Sequence, residues 1–287
     1  MTQYAYYPGC SLESLAVSYN LSAIEAAREL GLELVELDDW NCCGATSYFH
    51  IDELFAHTLV ARNIAIAEKE GLDFVAPCSG CFKNAYFTNE HLKEDPDLAD
   101  HINYALAADD LSLNGSTKVR HLLDVFIEDV GYEGIKEKVT TPLDGLRVAP
   151  YYGCQLVRPR KNGEEIENPQ FFEKLISAIG ADPVDYGSKM RCCGGSLIVT
   201  NRKAALDMVY RLLLDASNRG TDVIATICPM CNVNIEVYQK QVNREYNTNF
   251  DIPAMYFTQL IGLALGIAPG RLGIGKELVS MAPSLLA

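Results

Sequence analysis

The residues whose type and spacing could do chemistry are ten cysteines in a chain of 287 residues, four of them in two vicinal pairs. They fall as Cys10, Cys42, Cys43, Cys78 and Cys81, then as Cys154, Cys192, Cys193, Cys228 and Cys231. Each cysteine from Cys42 to Cys81 recurs 150 positions on, and Cys10 recurs 144 positions on, the difference that one six-residue insertion leaves. Thiols in this pattern ligate soft metals or take part in redox chemistry. A structural zinc takes four ligands in a tetrahedron, which would leave one thiol over in each half. An iron–sulfur cube also takes four thiolates, one per iron. Five thiols point, if iron is bound, to a cluster other than a simple cube, with a thiolate bridging two irons or one iron carrying two. Adjacent cysteines cannot bridge each other without strain. Thiols packing merely as small hydrophobes have no reason to repeat at a fixed interval.

The repeat extends to the residues around the thiols. "YAYYPGC" (4–10) matches "VAPYYGC" (148–154), and "LDFVAPCSGC" (72–81) matches "TDVIATICPMC" (221–231). In each half a β-rich run ends in Gly-Cys, and a helix-patterned segment (52–71 or 201–220) follows the cysteine pair. A short apolar run then ends in Cys-x-x-Cys. Strand and helix alternate, which predicts an α/β fold of two tandem, homologous, Rossmann-like halves related by pseudo-twofold symmetry. Parallel sheets bind ligands at the carboxyl ends of their strands, so all ten thiols are expected to face a cleft between the halves. We set the halves at 1–143 and 144–287, joined through "KVTTPLDG" (138–145), and read 85–117 as a polar insertion with a helical stretch. Gly44 and Gly194 follow the vicinal pairs, where a sharp turn calls for a positive φ and would aim backbone N–H groups at a bound anion.

Composition narrows the function. With 48% hydrophobic residues the chain can bury a sizeable core, and its net charge of −14 disfavours nucleic acid and anionic membrane surfaces. The first residues lack the pattern of a signal peptide and no apolar stretch is long enough to span a bilayer. Together with the cysteine usage this predicts a cytoplasmic protein. The five histidines, His50, His57, His91, His101 and His121, show no ligand-like pairing and read as structural or surface residues. There is no Gly-x-Gly-x-x-Gly after a strand and no GxxxxGK[ST], so nothing marks a flavin or nucleotide site.

Gly-Cys, then Cys-Cys-Gly, then Cys-x-x-Cys, twice in one chain, resembles the cysteine-rich CCG domain of the B-type subunit of heterodisulfide reductase, over nearly the whole length. The resemblance implies two noncubane [4Fe-4S] clusters. By position the first would use Cys10, Cys42, Cys43, Cys78 and Cys81, and the second Cys154, Cys192, Cys193, Cys228 and Cys231. It implies an oxidoreductase that cleaves a disulfide of the coenzyme M–coenzyme B type, each cluster delivering one electron to one sulfur. It also implies two partners, a ferredoxin-like iron–sulfur subunit and a flavoprotein subunit. Methanogen members of that family often read Gly-Cys-His where this chain has Gly-Cys-Gln155, which leaves the disulfide's identity open.

The halves differ near the second cysteine pair. Lys189 and Arg191 stand where the first half has Asp39 and Asn41, and Arg158, Arg160 and Lys161 follow Cys154. With Gln155, these side chains predict a dock for an anionic substrate end on the second half; a solvated surface patch is the other reading. Two alternatives to disulfide cleavage also stand: an electron-transfer subunit of a succinate, glycolate or lactate dehydrogenase-like or sulfur-oxidising complex, and a zinc-stabilised scaffold.

Overall fold

The structure is a computed structural model describing residues 1–45, 47–159, 166–275 and 279. Short apolar runs become strands buried on both faces, as parallel sheets require: β3 (Phe74–Ala76) and β7 (Val223–Thr226) are buried throughout. With β1 (Thr2–Tyr6), β2 (Leu32–Glu36) and β4 (Val119–His121), β3 forms a parallel sheet ordered β2-β1-β3-β4. With β5 (Arg147–Tyr151), β6 (Asp182–Pro183) and β8 (Ala254–Tyr256), β7 forms a second parallel sheet ordered β6-β5-β7-β8. The α/β class and its repetition are therefore as expected, with the same strand order in both sheets.

The two helix-patterned segments fold as helices Glu53–Glu70 and Arg202–Asn218. Asp52 caps the first by accepting the Phe55 N–H at 2.9 Å, and Asn201 caps the second by accepting the Ala204 N–H at 3.2 Å. Each Cys-x-x-Cys opens a helix: Ser79–Glu94 begins just after Cys78, and Pro229–Val237 just after Cys228. The expected polar insertion is mostly regular structure. Residues 85–94 complete the first of these helices, and Pro96–Leu106 forms another, with Asp95 as its cap and proline at its first turn.

The halves share a single apolar core. Helix Val17–Leu30 packs on helix Phe257–Ala264; Tyr19 stacks on Tyr256 with ring centroids 4.2 Å apart, and the Ser22 and Thr258 hydroxyls lie 2.6 Å apart. In the connector, the N–H groups of Thr140 and Thr141 both donate to the Ala264 carbonyl. Among the described residues no helix is long and apolar enough to cross a membrane.

Candidate functional site

Strand ends and helix starts bring the cysteines together. Cys10 and Cys154 follow β1 and β5, while Cys78 and Cys228 sit between a strand end and a helix start. Parallel pairing puts these four at the carboxyl ends of their sheets, where the positive ends of the helix dipoles favour thiolate. The vicinal pairs close over them from the loops before helices 53–70 and 202–218.

In the first set, Cys10 Sγ lies 3.9 Å from Cys42 and Cys43 Sγ lies 3.2 Å from Cys81. Cys42 touches Cys43, and Cys81 touches Cys78. The second set repeats this: Cys193 Sγ is 3.5 Å from Cys231, Cys154 meets Cys192, Cys192 meets Cys193, and Cys231 meets Cys228. Cys78 and Cys228 are near enough to act on each other's ionisation, so the ten sulfurs neighbour one another in a single file from Cys10 to Cys154.

The supporting residues repeat as well. Tyr7 donates to the Asn41 carbonyl and Tyr151 to the Arg191 carbonyl. The amides of Asn84 and Asn234 donate to the carbonyls of Cys43 and Cys193. Gly44 and Gly194 have φ of 63° and 75°, the positive-φ turn rather than a plain one. Gly9 and Gly153, also at positive φ, are so close to Cys81 and Cys231 that a Cβ would sit 3.2 and 3.3 Å from sulfur.

Electrostatics follows from thiols sharing protons in confinement. Cys192 is pushed down to about 2 by hydrogen bonds from Cys154 and Cys193, with the Gly194 N–H and Arg158 assisting against burial. Its neighbours move the other way: Cys193 rises to about 12, chiefly through its contact with Cys192, and Cys154 rises for the same reason. In the first half the thiolate-like sulfur is Cys43, lowered by hydrogen bonds from Cys42 and Cys81.

These donors fit a thiolate-ligated iron–sulfur group. Five soft sulfurs per set neighbour one another in series, the Gly194 N–H donates to Cys192 Sγ at 3.3 Å, the N–H groups of Gly44, Ala45 and Gly195 are near enough to favour thiolate, and glycines clear the space beside them. Among the described residues no three His, Cys, Asp or Glu side chains are arranged around a single ion; the fit rests on donor chemistry.

The expected cleft takes a different form. A cavity of about 330 Å³ is lined by all five cysteines of the second set and Gln155, and faced from the first half by Phe49, His50, Lys83 and Asn84. The first-set cysteines do not line it: Ala45 and Gly80 stand in the wall in their place, Cys43, Cys78 and Cys81 are buried, and Cys10 is exposed to solvent.

The structure also divides the predicted substrate residues. Gln155 stands in the cavity wall, and exposed Arg158 is near enough to act on Cys154, Cys192 and Lys83. Lys189 does not belong to a basic patch. Its carbonyl accepts the N–H groups of Tyr152 and Gly153, and its buried ammonium pairs with Glu173 at 2.7 Å and donates to the Pro169 carbonyl at 3.0 Å. Arg191 is exposed, but it borders a separate depression with Ser188, Arg211 and Asp215 beside helix 202–218. Arg160 and Lys161 lie outside the described residues.

Sequence reasoning missed Lys83. Its ammonium lies 5.9 Å from the Phe49 ring centroid, and burial, reinforced by Arg158, holds it below the ordinary lysine range. The repeat contained the signal, because the equivalent position in "CNVN" is Val233. His50 is surface-exposed as expected yet borders the cavity, while His57 and His121 are buried.

Comparison with known proteins agrees with this picture. The pattern of the CCG cysteine-rich domain matches twice, over residues 4–84 and 148–236. The B-type subunit of the ferredoxin/F420H2-dependent CoB-CoM heterodisulfide reductase of Methanosarcina acetivorans is 34% identical over 284 residues, covering 97% of this chain and 94% of that protein. The membrane anchor subunit of 8-methylmenaquinol:fumarate reductase of Wolinella succinogenes is 32% identical over 279 residues, covering 96% and 97%. A crystal structure of a hypothetical protein from Helicobacter pylori superposes with a TM-score of 0.81 at 15% identity over 98% of this chain; the chain spans 52% of that one, and the likeness is one of fold.

Proposed function

The chain belongs to the CCG cysteine-rich domain family, and from that premise we propose that it is the iron–sulfur subunit of a disulfide-reducing complex. The observation that carries the reading is the file of ten sulfurs in two five-thiol sets, one of which lines a cavity of small-molecule size. Two noncubane [4Fe-4S] clusters held by these sets would supply one-electron transfer. Cys10, Cys42, Cys43, Cys78 and Cys81 would hold one, and Cys154, Cys192, Cys193, Cys228 and Cys231 the other.

The acceptor is a disulfide on the side of the cavity lined by Phe49, His50, Lys83 and Asn84, facing the group that the second set of cysteines would hold. Two electrons and two protons enter, the S–S bond breaks, and two thiols leave. The electrons come from partner subunits in the cytoplasm, a ferredoxin-like iron–sulfur protein and a flavoprotein. This chain's residues bind the acceptor and hold it against the second set, with Phe49 and Gly195 in the cavity wall. Pseudo-twofold halves meeting near residue 143 would account for the matching strand orders and for the Cys78–Cys228 contact.

The similarity to a fumarate reductase subunit supports a second reading, an electron-transfer subunit that does not itself cleave a disulfide. One experiment tests both. Anaerobically purified protein should carry about eight irons and matching sulfide per chain, and the prereduced protein should be reoxidised by a small disulfide. Iron without disulfide-dependent reoxidation selects the second reading, and zinc in place of iron removes both.

A further inference from the structure

Inside the cavity a positive side chain has no carboxylate partner among the described residues, and the negative groups that act on it are the sulfurs of Cys43 and Cys154. Lys83 is half-buried in the wall over Phe49, and among the described residues no carboxylate lies within ion-pair distance of its ammonium. Across from it, the Gln155 side-chain oxygen is buried without a hydrogen-bond partner, while its nitrogen lies 3.6 Å from Cys154 Sγ. A buried amide oxygen left unpaired is unfavourable by about 1–3 kcal/mol, and an ammonium drawn out of water calls for a counter-charge. Two such groups facing one cavity describe a site built to meet a polar ligand.

The charge is also on one side only. Val233, the repeat equivalent of Lys83, borders a different groove, whose lining among the described residues includes the carboxylate of Glu236 and no lysine or arginine. Had Lys83 been a general requirement of the Cys-x-x-Cys helix, the second copy would need one too.

We infer that Lys83 anchors an anionic group of the acceptor, a carboxylate, sulfonate or phosphate, and so selects disulfides by charge from the opposite half of the molecule to the thiols they meet. This rests on the reading of the cavity as the disulfide site. It replaces the Lys189 and Arg191 dock with a residue that lines the cavity.

The test uses anaerobically purified holoprotein and two small symmetric disulfides, anionic 2,2′-dithiodiglycolate and neutral 2-hydroxyethyl disulfide. Calorimetric titration should show one site for the anion, weakened about tenfold or more in Lys83→Val, the loss expected for one charge-assisted hydrogen bond. Lys83→Arg should restore it, with the neutral disulfide unaffected throughout. Equal affinity of wild type and Lys83→Val for the anion overturns the inference. So does a variant that keeps its affinity but shows a lowered midpoint potential, because Lys83 would then be a counter-charge to the bound cluster. Turnover with reduced viologen separates the two levels. Lys83-dependent binding without turnover sinks the disulfide-reductase reading alone, and turnover with Lys83-independent binding sinks this inference alone.

Discussion

At the scale of single residues, the glycines after the vicinal pairs and the lysine before the second pair show where sequence reading succeeds and fails. Gly194 was legible because two side chains in succession had to reach one place; its φ of 75° follows, and a Cβ there would come 2.9 Å from the Ala205 backbone. Gly31 has a φ of 87° but nothing within 4 Å. Alanine at Gly31 should therefore lose only the left-handed backbone preference, about 1 kcal/mol. Gly194→Ala should destabilise by clearly more and lower the iron content, with thermal unfolding and metal analysis as the readouts. Lys189 was misread because a charge count cannot show which way a side chain leaves its turn. With its side chain 5% exposed and that of Glu173 11% exposed, the pair is structural. Glu173→Leu should lose about 3–5 kcal/mol in denaturant unfolding, and adding Lys189→Met should recover much of it. If Glu173→Leu left stability intact, the buried pair would have no structural weight.

At the scale of elements, helices 53–70 and 202–218 were legible to within two residues because each has a polar cap and a long apolar face. The two-residue β6 was not, since so short a strand shows no period, and its Pro183 is tolerated at a sheet edge. Cavity walls were illegible for a related reason: Lys83 and Gln155 come to line one cavity only because the halves pack together. Elements are also pinned by single carboxylates. Burial works against ionised Glu68, but N–H groups of Asn114, Ser116 and Thr117 and the Ser116 hydroxyl hold its carboxyl below the ordinary glutamate range. Because the folded value is depressed, this contribution is present above the unfolded pKa of about 4.3 and is lost as pH falls through the folded value. Glu68→Gln should lower stability at pH 7 and show a shallower loss on acidification, measured by thermal unfolding across pH 3 to 7. An unchanged profile would mean that the 114–117 loop does not depend on Glu68.

At the scale of the whole molecule, one core predicts one transition. Phe257 is 1% exposed and meets the rings of Tyr19 and Phe126 from the first half and Phe172 from the second. Phe257→Ala should cost about 3–5 kcal/mol. The single tryptophan, Trp40, packs on Tyr7 in the first half. Its fluorescence transition should shift together with circular dichroism, and a Trp40 transition left in place would show halves that unfold separately. The contact between Cys78 and Cys228 has a consequence of its own. These two are repeat equivalents, and in a twofold assembly a residue touches its own copy only at the axis. If the halves are so related, as proposed above, two separate chains could have met face to face in the same way. Fission should then be reversible: pieces 1–144 and 145–287, parted at the exposed Asp144 and Gly145 and rejoined through Thr140, Thr141 and Ala264, should copurify when made together, as an ancestral pair of short chains would have done.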